Sequence, residues 1–167
     1  RLRLLLTAGR VSLRLGQARA RFLASSVGEL QRVTTLMGER ELLERVLRMV
    51  RPGEVVYDVG ANVGTHAVAF ALRVGPAGRV IAFEPEPAMA ERLQEHIGLN
   101  HLRNVTIVRR ALGREAGQRT LYVDRRPGSG RHTLSYEPAY APISVEMVPG
   151  DAVVETLRFM SKQQGSN

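Results

Sequence analysis

Asp58, Gly60, Asn62 and Gly64 alternate through one short stretch, Asp-Val-Gly-Ala-Asn-Val-Gly. The apolar run Val55-Val56-Tyr57 leads into it, and a second apolar run leaves it from Thr65. A glycine turn between a strand and a helix brings main chain close to a ligand at the helix N-terminus. Dinucleotide sites place Gly-x-Gly-x-x-Gly there. Here Asn62 stands where the second glycine is required. The phosphate-loop pattern, which ends in Gly-Lys-Ser/Thr, is missing as well. Asp58 puts an anion at a helix start that would otherwise favour anions. That arrangement suits a ligand carrying a cationic amine and an adenosine better than a pyrophosphate, and S-adenosylmethionine is such a ligand. Gly60 would let the main chain approach it. Gly64 would let the helix start tightly against the strand, and Asn62 would brace the loop by bonding nearby main chain.

A second acid falls where such a ligand needs one. Glu84 ends the run Val80-Ile81-Ala82-Phe83, 24 residues after Gly60. At that place in α/β nucleotide sites an acid accepts hydrogen bonds from the ribose hydroxyls. A third apolar run, Val105 to Val108, ends at Arg109-Arg110-Ala111, which the same topology carries toward the adenine edge. The candidate cofactor set is therefore Asp58, Gly60, Ala61, Asn62, Gly64, Glu84, Pro85 and Ala111.

These residues need strands and helices in alternation to hold them. Leu42, Leu43, Val46, Leu47 and Val50 make an apolar stripe at helical spacing, with Glu41/Arg45 and Glu44/Arg48 as i,i+4 pairs on the wet side. Arg51-Pro52-Gly53 ends that helix. Val55-Val56-Tyr57 reads as a buried strand and Thr65 to Arg73 as a helix apolar nearly all round. Gly75-Pro76-Ala77-Gly78 is a turn before the second strand. Pro87 to Leu99 is a second helix with Pro87 in its first turn and Met89, Leu93 and Ile97 on one stripe. Asn100 and Asn104 bracket a loop before the third strand. Two strand–helix units of this kind build a parallel sheet. Residues 1–38 are ambiguous: Val11, Leu13 and Leu15 alternate like a strand, while the flanking Arg-Ala-Arg run suits a helix. After Gly113, Arg119 to Val123 and Ser144 to Val148 read as strands, Arg125 to Gly130 as a loop, and Ala152 to Met160 as a short helix. The expected division is a basic, partly helical segment 1–50, a cofactor domain 51–160 and a polar tail 161–167.

With Asp58-Val-Gly-Ala-Asn-Val-Gly64 and Ala82-Phe-Glu-Pro85 both in view, the chain resembles the FkbM-type family of S-adenosylmethionine-dependent methyltransferases. Val74-Gly-Pro-Ala-Gly-Arg-Val80, Gly98-Leu-Asn100 with Leu102-Arg-Asn-Val105, and Ala111-Leu112-Gly113 follow in the family's order. The resemblance implies an α/β, Rossmann-like, doubly wound sheet of the class I methyltransferase type. It implies methyl transfer to a hydroxyl of a sugar, polyketide or similar small molecule, with Asp58, Gly60, Asn62, Gly64 and Glu84 lining the cofactor. Members continue into a fourth strand with a Lys-x-Asp-x-Glu-Gly-type stretch, and residues 114–167 contain nothing like it. The expectation is a sheet truncated after the third parallel strand and a following β region.

Methyl transfer from a sulfonium needs in-line attack by the acceptor oxygen, helped by a base that takes its proton. The four histidines are His66, His96, His101 and His132. His66 begins the helix beside the loop and reads as a helix-start residue that packs or touches the cofactor. His96 and His101 flank a helix end and read as surface residues. His132 is a candidate loop residue over the acceptor, as is Asp151, and no catalytic residue is named.

Composition narrows the classes. The 167 residues are 44% hydrophobic and 24% charged, which is globular rather than disordered. No apolar run approaches membrane-span length. With no Cys there is no disulfide, no Cys-based metal site and no cysteine nucleophile, and no metal is expected. Leu4-Leu5-Leu6 is too short for a signal-peptide core, so the expected compartment is the cytoplasm. Net charge is +8. Residues 1–50 hold ten Arg against four acids, and no acid precedes Glu29. A basic arm can meet nucleic acid or an anionic membrane; the preferred reading is a solvated arginine face. A truncated non-catalytic remnant that keeps part of the cofactor site is the alternative; an RNA methyltransferase is less favoured, with no Asn/Asp-Pro-Pro-Tyr string and no Cys, and a nicotinamide oxidoreductase is disfavoured by Asn62. The sequence is silent on oligomeric state.

Overall fold

The computed structural model describes residues 9–15, 18–125 and 131–153. The site rests on a parallel sheet of three strands, β3 (Val55–Val59), β4 (Arg79–Phe83) and β5 (Val105–Val108), side by side in sequence order. Their crossovers are the helices α3 (Thr65–Val74) and α4 (Pro87–Leu99), the latter bounded as its periodicity predicts. Both helices cover one face of the sheet. There Ala67, Ala71, Val74, Leu93 and Ile97 meet Val80 and Ala82. Ile81 and Phe83 point to the opposite face and pack with Val153. This is a Rossmann-like α/β architecture, with its parallel strands in register from Val55↔Arg79 to Phe83↔Val108.

The first strand departs from expectation. Val55, Tyr57 and Val59 are 55%, 41% and 61% exposed, so β3 is not buried on both faces. It is an outer strand of the three, and among the described residues its second face is left uncovered.

The N-terminal segment is a β-hairpin followed by helices. Strands β1 (Arg10–Leu15) and β2 (Ala18–Leu23) pair antiparallel, so the Arg-Ala-Arg run is strand and not helix. Alternation decides this: Ala20 and Phe22 share a face with Val11, Leu13 and Leu15. Burying that face outweighs the helix preference of Ala and Arg. Helix α1 (Val27–Thr35) is capped by Ser26, whose hydroxyl accepts from Glu29 N at 3.1 Å. A 3-10 turn (Leu36–Gly38) leads into α2 (Arg40–Met49). The α2 stripe buries Leu43 and Leu47, while Leu42 is 59% exposed. Glu41 pairs with Arg45 as read from the sequence, and Glu44 is held by Arg40 at 3.1 Å. The hairpin's apolar face closes over Val33, Leu36, Leu43 and Leu47 and reaches Val68 and Ala69 on the outer side of α3. The layers are thus hairpin, helices and parallel sheet.

Beyond β5 the chain builds a second sheet from β6 (Ala111–Gly113), β7 (Gly117–Val123), β8 (His132–Thr133) and β9 (Ala141–Pro149), ordered β6-β9-β7-β8. Its core is Leu121, Val123 and Val145, with Ala111 and Ile143 alongside. The loop expected at 125–130 falls mostly outside the described residues. Most of the helix expected at 152–160 and all of the polar tail lie there too. No helix among the described residues is long and apolar enough to cross a membrane.

Candidate cofactor site

The loop after β3 owes its shape to three left-handed residues. Gly60, Asn62 and Gly64 have φ of +78°, +53° and +86°. Glycine adopts that conformation freely, and asparagine is among the few side-chain residues that visit it. Asn62 Oδ1 accepts from Val63 N at 2.9 Å, which braces the turn locally. Two loop amides, Gly60 N and Ala61 N, donate to Phe83 O at the end of β4. A Cβ at Gly64 would collide with the Leu93 side chain, so this glycine lets α3 begin tightly against α4 rather than against the strand. At Gly60 an added Cβ would meet nothing within 4 Å, leaving the space above it open.

Two buried carboxylates close the ends of adjacent strands. Glu84, 1% exposed, follows β4 and accepts from Asn62 N (2.7 Å) and from Glu86 N (2.9 Å). The loop amides thus hold the protein's own carboxylate. Burial raises the Glu84 pKa above the ordinary carboxylate value, against the two amide bonds and the nearby His132, which favour the anion. Asp58 sits in β3 opposite Ala82 and is 8% exposed. Burial raises its pKa also, partly offset by the charge of His66. Its Oδ2 is buried with no hydrogen-bond partner among the described residues. A buried acceptor of this kind costs stability until a donor reaches it.

Gly60, Asn62, Glu84 and Pro85 form one wall of a cavity of about 660 Å³. The opposite wall comes from the second sheet and its loops, with Leu121, Arg131, His132, Thr133 and Tyr140. His132 Nε2 lies 2.7 Å from Glu86 Oε2, and both side chains are largely shielded. This pair fastens the second wall to the start of α4. The motif reading missed Glu86, Arg131 and Tyr140. The acid repeat in Glu84-Pro85-Glu86 was the available signal for Glu86; the other two are placed by tertiary packing alone.

The remaining predicted residues scatter. Ala61 is buried under the loop. Ala111 opens β6 and packs toward Leu121 and Val123 instead of lining this cavity. Arg109 and Arg110 are exposed, and Arg110 pairs with Glu146 at 2.9 Å. His66 lies 3.6 Å from Glu39. His101 is exposed, as is Asp151. The sequence reading of His96 as a surface residue is corrected: it is 0% exposed, packed edge-on against Phe22 with both ring nitrogens bonded. The hairpin folding back over α4 covers it. A further cavity of about 600 Å³ between hairpin, α2 and α3 carries Arg14, Arg40, Arg48 and Arg73. Of these, Arg40 is held by Glu44, and Arg73 by the carbonyls of Leu47 and Val50. Among the described residues no cluster of His, Asp and Glu is arranged to hold a metal ion.

With the loop, the two carboxylates and the cavity in place, comparison with known proteins identifies the family. The TRM5/TYW2 methyltransferase domain matches residues 18–125, well over half the chain. The chain belongs to that family. What this match shares with the motif reading is a methyltransferase domain. Among curated proteins, hexuronic acid methyltransferase AglP of Haloferax volcanii is 30% identical over 137 residues, covering 82% of this chain and 54% of its own length. Protein-L-isoaspartate O-methyltransferase of Ignicoccus hospitalis is 39% identical over 59 residues, 35% of this chain and 28% of its own. The chain therefore spans about half or less of the length of these relatives. Among solved structures, M. jannaschii TYW2 in complex with AdoMet overlaps 63% of this chain and 45% of its own, at 23% identity and a TM-score of 0.41. S-adenosylmethionine, expected from the turn, is the cofactor of this methyltransferase domain.

Proposed function

We propose that this domain binds S-adenosylmethionine across the ends of β3 and β4 and transfers its methyl group to a hydroxyl of a sugar-type small molecule. One observation carries the cofactor placement: two buried carboxylates end adjacent parallel strands, one of them with an oxygen lacking a donor. Asp58 Oδ2 would accept from the cofactor's ammonium group. Each Glu84 oxygen already accepts one amide proton and keeps a lone pair for a ribose hydroxyl. Gly60 would lie under the ligand, with Ala61, Asn62 and Gly64 fixing the loop and Pro85 the turn beyond Glu84. Ala111 is assigned at most to the margin of the site. The cofactor supplies an electrophilic methyl on a sulfonium, and the residues of this chain hold the acceptor and exclude water. A sugar-type acceptor is supported by the relationship to a hexuronic acid methyltransferase.

A second reading, an RNA acceptor, is favoured by the hairpin's outer face. Arg10, Arg14, Arg19 and Arg21 stand on it, with Arg14 directly across from Arg19. A row of exposed arginines is the kind of surface that nucleic-acid phosphates meet.

Titration calorimetry with S-adenosylhomocysteine and, separately, NAD tests the cofactor: saturable binding of the first and none of the second is expected, and NAD binding alone would sink the reading. Radiolabelled methyl transfer to uronic-acid saccharides against tRNA transcripts tests the acceptor. Label on the saccharide alone is expected; label on RNA alone favours the second reading.

A further inference from the structure

The buried imidazole of His96 has no place in the cofactor chemistry, yet it touches the cofactor loop. Its Nε2 lies 2.9 Å from Leu23 N. An amide N–H only donates, so Nε2 accepts and carries no hydrogen. Nδ1, 2.7 Å from Val63 O, therefore carries the hydrogen and donates. One neutral tautomer satisfies both bonds, and burial, which lowers the His96 pKa, favours that neutral form. Leu23 is the last residue of β2, and Val63 lies between the left-handed residues Asn62 and Gly64. A single side chain thus joins the hairpin's edge to the turn that presents Asn62 N to Glu84.

The loop depends on that bond for its orientation. The amides of Gly60 and Ala61 bond Phe83 O, and Gly64 N bonds Ala61 O. Asn62 N bonds Glu84. The Val63 carbonyl is turned inward to the imidazole. Releasing it frees the peptide next to Gly64, where glycine offers little resistance to rotation, and swings the preceding amides away from the Glu84 carboxylate.

We propose that His96 is a positioning residue for the cofactor loop, coupling the docking of strand β2 to occupancy of the cofactor site. The proposal rests on the reading of Gly60–Gly64 as the cofactor loop. Asn100 supplies an internal control. Its side chain bonds the same strand twice, accepting from Arg21 N (2.8 Å) and donating to Arg21 O (2.6 Å). Its side-chain amide also donates to His96 O (2.8 Å) in α4, not to the loop.

The test uses the full chain and S-adenosylhomocysteine, with titration calorimetry on wild type, His96→Phe, His96→Gln and Asn100→Ala. Phe keeps the ring against Phe22 and loses both bonds; its Kd is expected to rise about tenfold, the equivalent of one to two hydrogen bonds. Gln retains a donor and an acceptor and should return Kd to within about threefold of wild type. Asn100→Ala should lower Tm while leaving Kd within about twofold. Reciprocity adds a readout on the unmodified protein. Saturating ligand should slow amide exchange at Leu23 more than at Arg21, and that difference should vanish in His96→Phe. Equal weakening by His96→Phe and Asn100→Ala, or no selective slowing at Leu23, overturns the proposal. A wild-type chain that takes up no S-adenosylhomocysteine overturns the cofactor reading and this coupling together.

Discussion

At Asp58 the fold buries a carboxyl group at a loss. Its pKa is raised by burial, and one oxygen lacks a partner. The sign follows from linkage. The unfolded chain titrates near 3.8, and the folded chain holds its proton to higher pH. Stability is therefore unaffected below 3.8, falls as pH rises through the window between the two pKa values, and stays lower above it. Asp58→Asn should raise the Tm of the ligand-free protein at pH 7 and abolish cofactor binding. The gain should shrink toward zero as the pH approaches 3.8, in thermal melts run as a pH series; a lower Tm at pH 7 contradicts this account. Gly64 and Gly60 separate packing from binding. Gly64→Ala meets both an unfavourable φ and the Leu93 side chain, costing roughly 2–4 kcal/mol in denaturant unfolding. Gly60→Ala pays only the φ penalty, about 1–2 kcal/mol, but places a methyl in the open space where the ligand is proposed to lie. Its signature should be lost S-adenosylhomocysteine binding in a folded protein. The types and spacing of these residues were legible in the sequence. The reason Asn62 sits among the glycines, its left-handed conformation, was not. Nor was the burial of His96, because nothing on its own helix identifies the strand that covers it.

Among elements, legibility tracks how local the signal is. α4 is bounded by Pro87 and by its own apolar stripe, and β4 by a run of buried residues, so both stand where the periodicity puts them. β2 shows the opposite case. Arg-Ala-Arg carries helix propensity, and only pairing with β1 makes it strand. The second sheet is harder still, since β8 is two residues long and exists through its contact with β7. The weight of β2 rests on Phe22, fully buried between the hairpin and α4. Phe22→Ala should destabilise by about 3–5 kcal/mol, read as a lower urea midpoint at unchanged slope. A cost below 1 kcal/mol would mean that the hairpin contributes little to the fold. Because the same ring packs against His96, this variant should also weaken the cofactor, unlike a truncation on the exposed side of β1.

For the whole molecule the question is whether the basic N-terminal segment folds apart from the methyltransferase core. Val11, Leu13, Leu15 and Phe22 share one cluster with Val68 and Ala69 of α3. α3 in turn gives Ala67, Ala71 and Val74 to the sheet. The helix is therefore sandwiched, and neither layer keeps a closed core without the other. Burial of each large side chain at this seam contributes about 1.5–3 kcal/mol, a substantial share of the stability of an ordinary domain, about 5–15 kcal/mol. Unfolding should accordingly be a single transition, with far-UV dichroism, tyrosine fluorescence and amide exchange at Leu23 and Ala82 reporting the same midpoint. Removing residues 1–25 should leave a chain that exposes Val68 and Ala69, binds a hydrophobic dye and lacks a cooperative melt. If instead the shortened chain melts sharply and still binds S-adenosylhomocysteine with the parent Kd, the hairpin is an appendage, and the arginine face it carries evolved independently of the site beneath it.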